Sequence, residues 1–154
     1  MTRAAPVKRF TLDTNIYIAA DRDPAKAEEL VAFYAGFLAA TYLHAIVIQE
    51  LLLGAIDARR GVAIRNAYIR PFESRRRILT PTLADWNRSG EVVAELVRAK
   101  LLSPGGFARS FLNDVLLAVS CRAADVTLVT SNVADFAQIQ QVERFHFVAP
   151  WPTA

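Results

Sequence analysis

One cysteine, Cys121, and two histidines, His44 and His146, are all that these 154 residues offer from the usual nucleophiles and neutral-pH proton carriers. Cys121 has no second thiol to pair with. It sits in an apolar helical pattern with no histidine or asparagine close by to activate it, so it reads as a small buried hydrophobe. Both histidines fall in strand-like apolar segments and read as packed or edge residues rather than as half of an acid and base pair. Lysine is scarce, with only Lys8, Lys26 and Lys100, and no glycine-rich phosphate loop ends in one. Gly105-Gly106 marks a turn. The apolar stretches around Ile46, Leu52 and Leu117 all break well short of the roughly 18 residues that a membrane span needs. The N-terminal segment, residues 1 to 10, has positive charge without an apolar run behind it, which is not the pattern of a secretory signal. A soluble, cytoplasmic protein is the expectation.

What the chain does have is apolar mass, arginine and well-spaced acids. With 53% hydrophobic and 21% charged residues, it is expected to form one domain over 1–154 with a substantial core. Fifteen of its eighteen basic residues are arginine, and seven lie between Arg59 and Arg77, opposed nearby only by Asp57 and Glu73. The guanidinium fork matches phosphate oxygens, so this stretch is either a track for a nucleic-acid backbone or a solvated helix face.

Along the chain, short β-prone runs alternate with helical periodicity. Strands are predicted at Val7 to Leu12, Thr41 to Val47, Arg77 to Thr80, Val126 to Thr130 and Phe145 to Val148. Asp23 and Pro24 open a helix that runs to about Ala40. A helix or broken pair after Ile48 carries the arginines and is expected to end before Pro71. Thr82 caps another, reaching about Leu102, and further helices cover Phe111 to Ala124 and Asp135 to Gln140. Such alternation implies parallel strands with helices on both faces, hence a single-domain, three-layer α/β fold.

Four carboxylates stand where these segments meet. Asp13 follows the first strand, Glu50 and Asp114 are each placed in a first helical turn, and Asp135 follows the fourth strand closely. Asp13 and Asp135 could each simply cap a helix. Glu50 and Asp114 lie in apolar settings, Leu51-Leu52-Leu53 and Val115-Leu116-Leu117, where an unpaired charge is expensive. If the fold collects all four into one cleft, the mutual repulsion calls for a hard divalent cation such as Mg²⁺ or Mn²⁺.

These pieces, in order, resemble the PIN-domain ribonucleases, especially the VapC-type toxins of bacterial toxin and antitoxin pairs. The matching segments are Leu12-Asp13-Thr14-Asn15, Glu50-Leu51-Leu52-Leu53-Gly54-Ala55, Asn113-Asp114 and Leu128-Val129-Thr130-Ser131-Asn132-Val133-Ala134-Asp135-Phe136, spread over nearly the whole chain. The resemblance implies a PIN-like sandwich on a mostly parallel sheet of about five strands, and a Mg²⁺- or Mn²⁺-dependent endoribonuclease. Asp13, Glu50 and Asp114 match the family's acids, with Asp13 and Asp114 as the direct metal ligands. The fourth acidic position falls on Asn132, and Asp135 is expected to supply the charge missing there. Thr14, Thr130 and Ser131 look like supporting hydroxyls. Arg109, Arg75 and Arg76 are expected to meet RNA phosphates. An RNA substrate, a small antitoxin and a homodimer are the implied partners. The helix after Pro24 would serve either an interface or the core.

Two other classes fit parts of the pattern. A PIN-like binding or assembly protein with little turnover fits the departure at Asn132. A phosphotransfer protein using Asp13 as nucleophile fits less well, because Asn15 stands where a second aspartate is usual and no suitably placed lysine exists.

Overall fold

The computed structural model describes residues 7–153. Part of the N-terminal segment read for a secretory signal lies outside them. Five strands form one parallel sheet: β1 (Phe10–Leu12), β2 (Thr41–His44), β3 (Ile78–Leu79), β4 (Thr127–Val129) and β5 (Phe147–Val148), in the order β3-β2-β1-β4-β5. Phe10 pairs with Thr41 on one side and Thr127 on the other, so β1 is the central strand. The chain builds outward from β1 to β3, then crosses back to add β4 and β5 on the opposite side. That reversal leaves a crevice beyond the carboxyl ends of β1 and β4, where open α/β sheets bind ligands.

Helices cover both faces. On one side, α1 (Thr14–Arg22), α2 (Pro24–Phe37), α3 (Ala45–Leu53), α4 (Ala58–Ile64) and α5 (Arg70–Glu73) bury Tyr17, Phe33, Leu51, Ile64 and Phe72 against Phe10, Leu12 and Leu43. On the other, α6 (Leu83–Arg98), α7 (Arg109–Ala124) and α8 (Val133–Gln140) bury Leu96, Val115, Leu117, Phe136 and Ile139 against Leu128. The three-layer sandwich expected from the sequence is present, with every strand pair parallel. Among the described residues, no helix is long and apolar enough to cross a membrane.

Local chemistry explains where the elements differ from expectation. The strand predicted through Val47 stops at His44, because His44 Nδ1 accepts from the backbone N–H of Ile46 at 3.1 Å and so caps α3. Its Nε2 meets Ser120 Oγ at 2.9 Å, and burial holds its pKa down at about 4, so His44 is a packed residue as expected. Helix α3 therefore starts at Ala45 and α7 at Arg109, which moves Glu50 and Asp114 out of the first turns assigned to them and into second turns.

The arginine-bearing helix does not end before Pro71 but passes through it. Proline offers no N–H to Ala67, and the backbone widens into a π-helical turn over Arg65–Ile69, closed by the Arg70 N–H on the Arg65 carbonyl. Thr82 and Asp85 form a reciprocal capping box at the start of α6, while Trp86 in its first turns stands exposed. Leu30 and Phe33 of α2 are buried, so that face of the helix serves the core.

Candidate active site

Asp13 leaves the carboxyl end of the central strand with only 5% of its surface exposed. Its Oδ1 accepts from the Thr14 N–H at 2.8 Å, which caps α1, and its Oδ2 accepts from the Thr130 hydroxyl at 2.7 Å. Capping and a role in the site are thus compatible, one oxygen serving each. From α3, Glu50 reaches the same place, its Oε1 accepting from Thr14 Oγ1 at 3.0 Å.

From the far side, Thr130 Oγ1 accepts from the Asn132 N–H at 3.0 Å. The Asn132 amide in turn donates to Asp135 Oδ2 at 3.0 Å and to Asp114 Oδ2 at 3.5 Å. One chain of hydrogen bonds therefore links Glu50, Thr14, Asp13, Thr130 and Asn132, and forks to Asp114 and Asp135.

The electrostatics match the geometry. Asp114 is pushed up to about 8, mostly by burial and then by the charges of Asp13, Glu50 and Asp135. Burial also raises Asp13, against hydrogen bonds from Thr130 and Thr14 that favour its anion. Glu50 is raised by burial and by Asp13, with the Thr14 hydroxyl opposing. Asp114 thus feels the charge of three acids from distant segments.

Their donor atoms suit a hard divalent cation in kind and charge. Their spacing is looser. Among the described residues, no group of three or more acidic, histidine or cysteine side chains is arranged as it stands to hold a metal ion.

Asn15 is the site residue that the sequence reading passed over as a functional group. Its amide donates to Asp13 Oδ2 at 3.4 Å and to Thr130 Oγ1 at 3.5 Å, and its Oδ1 accepts from the Ser131 N–H at 3.4 Å. Its position just after Asp13-Thr14 was the one available signal.

Of the expected substrate-binding residues, Thr130 is buried in the network and Ser131 lies exposed beside it. Arg109 is the exposed first residue of α7, ahead of Asp114 on the same helix, and has no ion-pair partner among the described residues. Arg75 and Arg76 lie elsewhere, in the turn that enters edge strand β3 from its amino end. Arg75 Nη1 donates to the Pro71 carbonyl at 2.7 Å, and Arg76 adopts a left-handed φ of 54°. The structure does not bring this pair to the carboxylates. Arg77 bonds the Ala39 carbonyl and lies 5.5 Å from the Tyr42 ring centre, while Arg65 pairs with Glu73. Of the seven arginines, Arg60 borders a cavity that Glu50 also lines. Cys121 is fully buried and its thiol is pushed up by burial, as an inert core residue should be. A roomier cavity, about 480 Å³, lies by Cys121, Arg144 and His146, away from the carboxylates.

The model of the PIN domain family matches residues 10–141. No curated protein matches the chain. Among solved structures, a DNA-bound VapBC from Salmonella typhimurium is 20% identical with a TM-score of 0.68, covering 93% of this chain and 98% of its own. FitAcB from Neisseria gonorrhoeae is 21% identical with a TM-score of 0.67, over 94% and 99% of the two chains. VapBC2 from Rickettsia felis, bound to a promoter DNA fragment, is 22% identical with a TM-score of 0.64, over 93% and 98%. Identities this low speak for a shared fold.

Proposed function

The chain belongs to the PIN domain family, and on that premise we propose that it is a Mg²⁺- or Mn²⁺-dependent endoribonuclease, the VapC-type toxin of a toxin and antitoxin pair. The observation that carries the reading is the hydrogen-bonded convergence of Asp13, Glu50, Asp114 and Asp135 at the sheet's switch point. Support for the toxin role, and for a small antitoxin as partner, comes from the likeness to VapBC and FitAB proteins. A homodimer is part of the proposal.

Asp13 and Asp114 would hold the ion, with Glu50 and Asp135 adding charge. The divalent cation, when bound, supplies Lewis-acid activation of the phosphodiester and of the attacking water. Asp13 is pinned for its part by Thr14 and Thr130, which fix its carboxylate before substrate arrives. Glu50 has one oxygen held by Thr14, leaving the other to orient the attacking water and take its proton. Arg109, exposed at the amino end of α7, meets an RNA phosphate, and Ser131 offers a further donor beside it. The Asn132 amide, donating to Asp114 Oδ2, would help to orient that carboxylate toward the ion.

Asn132 also favours a second reading, a PIN-like binding protein with little turnover, because an amide already engages two of the acids. Metal-dependent cleavage of RNA by the wild type and by Asp114→Asn separates the two. The expected loss in Asp114→Asn is at least about 100-fold. Equal rates, or no cleavage by the wild type with Mg²⁺ or Mn²⁺, would reject the nuclease.

A further inference from the structure

At the end of the sheet opposite the four acids lie two cavities, of about 480 and 330 Å³, and Asp125 and His146 line both. They are lobes of one trough. Arg122 and Arg144 border the larger lobe with Val126 and Phe145, and Lys8 and Arg9 border the smaller. The topology explains the gathering. Lys8-Arg9 leads into β1, Asp125-Val126 into β4 and Arg144-Phe145-His146 into β5, and β4 lies between the other two strands. Two strand steps separate β1 from β5, roughly 10 Å, so cations are carried on either side of Asp125. Arg9 gives one N–H to the Ala124 carbonyl at 2.6 Å and Arg122 pairs with Glu143, and each guanidinium has donors to spare. Lys8 and Arg144 have no ion-pair partner among the described residues.

Asp125 is the residue that local rules disfavour. Exposed where α7 ends, it takes a left-handed φ of 54°, a place usual for glycine or asparagine, and it puts a carboxylate at the negative end of the helix dipole. No ion pair offsets it among the described residues. Departures from local preference are expected at functional sites, and an acid held between two groups of cations matches a ligand that carries hydroxyls beside anions.

We propose that this trough binds a ribose phosphate, with the phosphate on the cations of its lobes and the ribose 2′-hydroxyl donating to Asp125. A free ribonucleotide and a stretch of RNA chain both present that chemistry. The guanidinium fork matches phosphate oxygens, and acids hold the ribose 2′-hydroxyl in dinucleotide-binding folds. Inorganic polyphosphate has no hydroxyl chain to offer and would leave Asp125 facing anions. The larger lobe has room for a nucleoside, since pockets for small ligands run from roughly 300 to 1,000 Å³. The site stands on the cavities and on Asp125, at the far end of β4 from Thr130, and does not depend on the ribonuclease reading.

The test is binding in chelator, where metal and turnover play no part. The probes are adenosine 5′-monophosphate and its 2′-deoxy form by calorimetry, and fluorescein-labelled RNA and DNA ten-mers of one sequence by anisotropy. In at least one pair the wild type should hold the ribose form about tenfold more tightly. Asp125→Gly, which suits the left-handed backbone, should erase that preference without weakening the deoxy form. Arg144→Gln should loosen both forms about tenfold and lower the salt slope of ten-mer binding by about one. Both positions are exposed, and a thermal melt checks that the variants keep the fold. A ribose preference among the mononucleotides makes a free nucleotide the ligand, and one confined to the ten-mers makes it the RNA chain. Equal binding of ribose and deoxyribose forms, no binding of either pair, or a preference that survives Asp125→Gly would overturn the site. So would displacement of the RNA by oligoglutamate as readily as by unlabelled RNA, since the trough would then hold an acidic peptide. A wild type that cuts no RNA fails the nuclease reading, whereas these affinities alone decide the trough.

Discussion

Asp114 shows what function costs at a single residue. Its folded carboxyl titrates near 8 against an ordinary value of 3.8, so across that interval the folded protein holds a proton that the unfolded chain gives up. The contribution of Asp114 to stability without metal therefore declines as pH rises from about 4 through 8. Asp114→Asn removes that contribution. In denaturant melts with chelator, the variant should equal the wild type near pH 4 and be increasingly the more stable toward pH 8.5, while losing cleavage. Parallel pH profiles would contradict the raised carboxyl. Thr130 works from the other direction, donating to Asp13 and accepting from Asn132 with no exposed surface. Thr130→Val strands both partners and should cost about 1 to 3 kcal/mol in equilibrium unfolding. Cleavage should fall with it, because Asp13 loses its shortest hydrogen bond and is held only by Thr14 and Asn15.

Between elements, the second helical layer is tied by an acid that no motif announced. Glu143, 1% exposed, follows α8 and accepts from Arg88 Nε of α6 at 2.8 Å and from Arg122 of α7. Glu91 and Glu95 share the Arg88 guanidinium at 3.3 and 3.0 Å. Removing the Glu143 charge takes the ion-pair partner from Arg122, while Arg88 keeps Glu91 and Glu95 and the amide stays buried with weaker bonds. Glu143→Gln should cost about 2 to 3 kcal/mol by urea unfolding, yet leave the cleavage rate per folded molecule unaltered because the cluster lies away from the four acids. A fall in that rate would mean that this layer positions the site. The same scale explains the displaced helix starts. His44 caps α3 through its imidazole, an uncommon cap that composition does not flag, and α7 begins at Arg109 without any side-chain cap.

For the whole molecule, the decisive expectation is metal linkage. An ion that binds the folded state alone stabilises it by about 2.7 kcal/mol at 100 times its Kd. Because binding must displace the Asp114 proton, Mn²⁺ affinity measured by calorimetry should strengthen from pH 6 to pH 8, with proton release that shrinks toward the upper end. Binding that is indifferent to pH would place the ion elsewhere. The arginine stretch divides at this scale too. Arg60 faces the cleft side, Arg65 and Arg77 are occupied within the fold, and Arg75 and Arg76 sit at the amino end of an edge strand.

The order of strands and helices, the parallel sheet and the placing of four acids where segments meet were all legible in the linear chain. Hydrophobic period and the ends of apolar runs are local properties, set by residues a few positions apart. The chain could not reveal that Glu50 and Asp114 lie a turn deeper in their helices, that Asn15 and Asn132 knit the cleft, or that Arg60 lines a pocket together with Glu50. Those facts depend on which strands neighbour β1 and on side chains meeting across separations such as the 117 residues between Asp13 and Thr130. Contacts of that kind are chosen by the burial of the two cores, not by any local pattern.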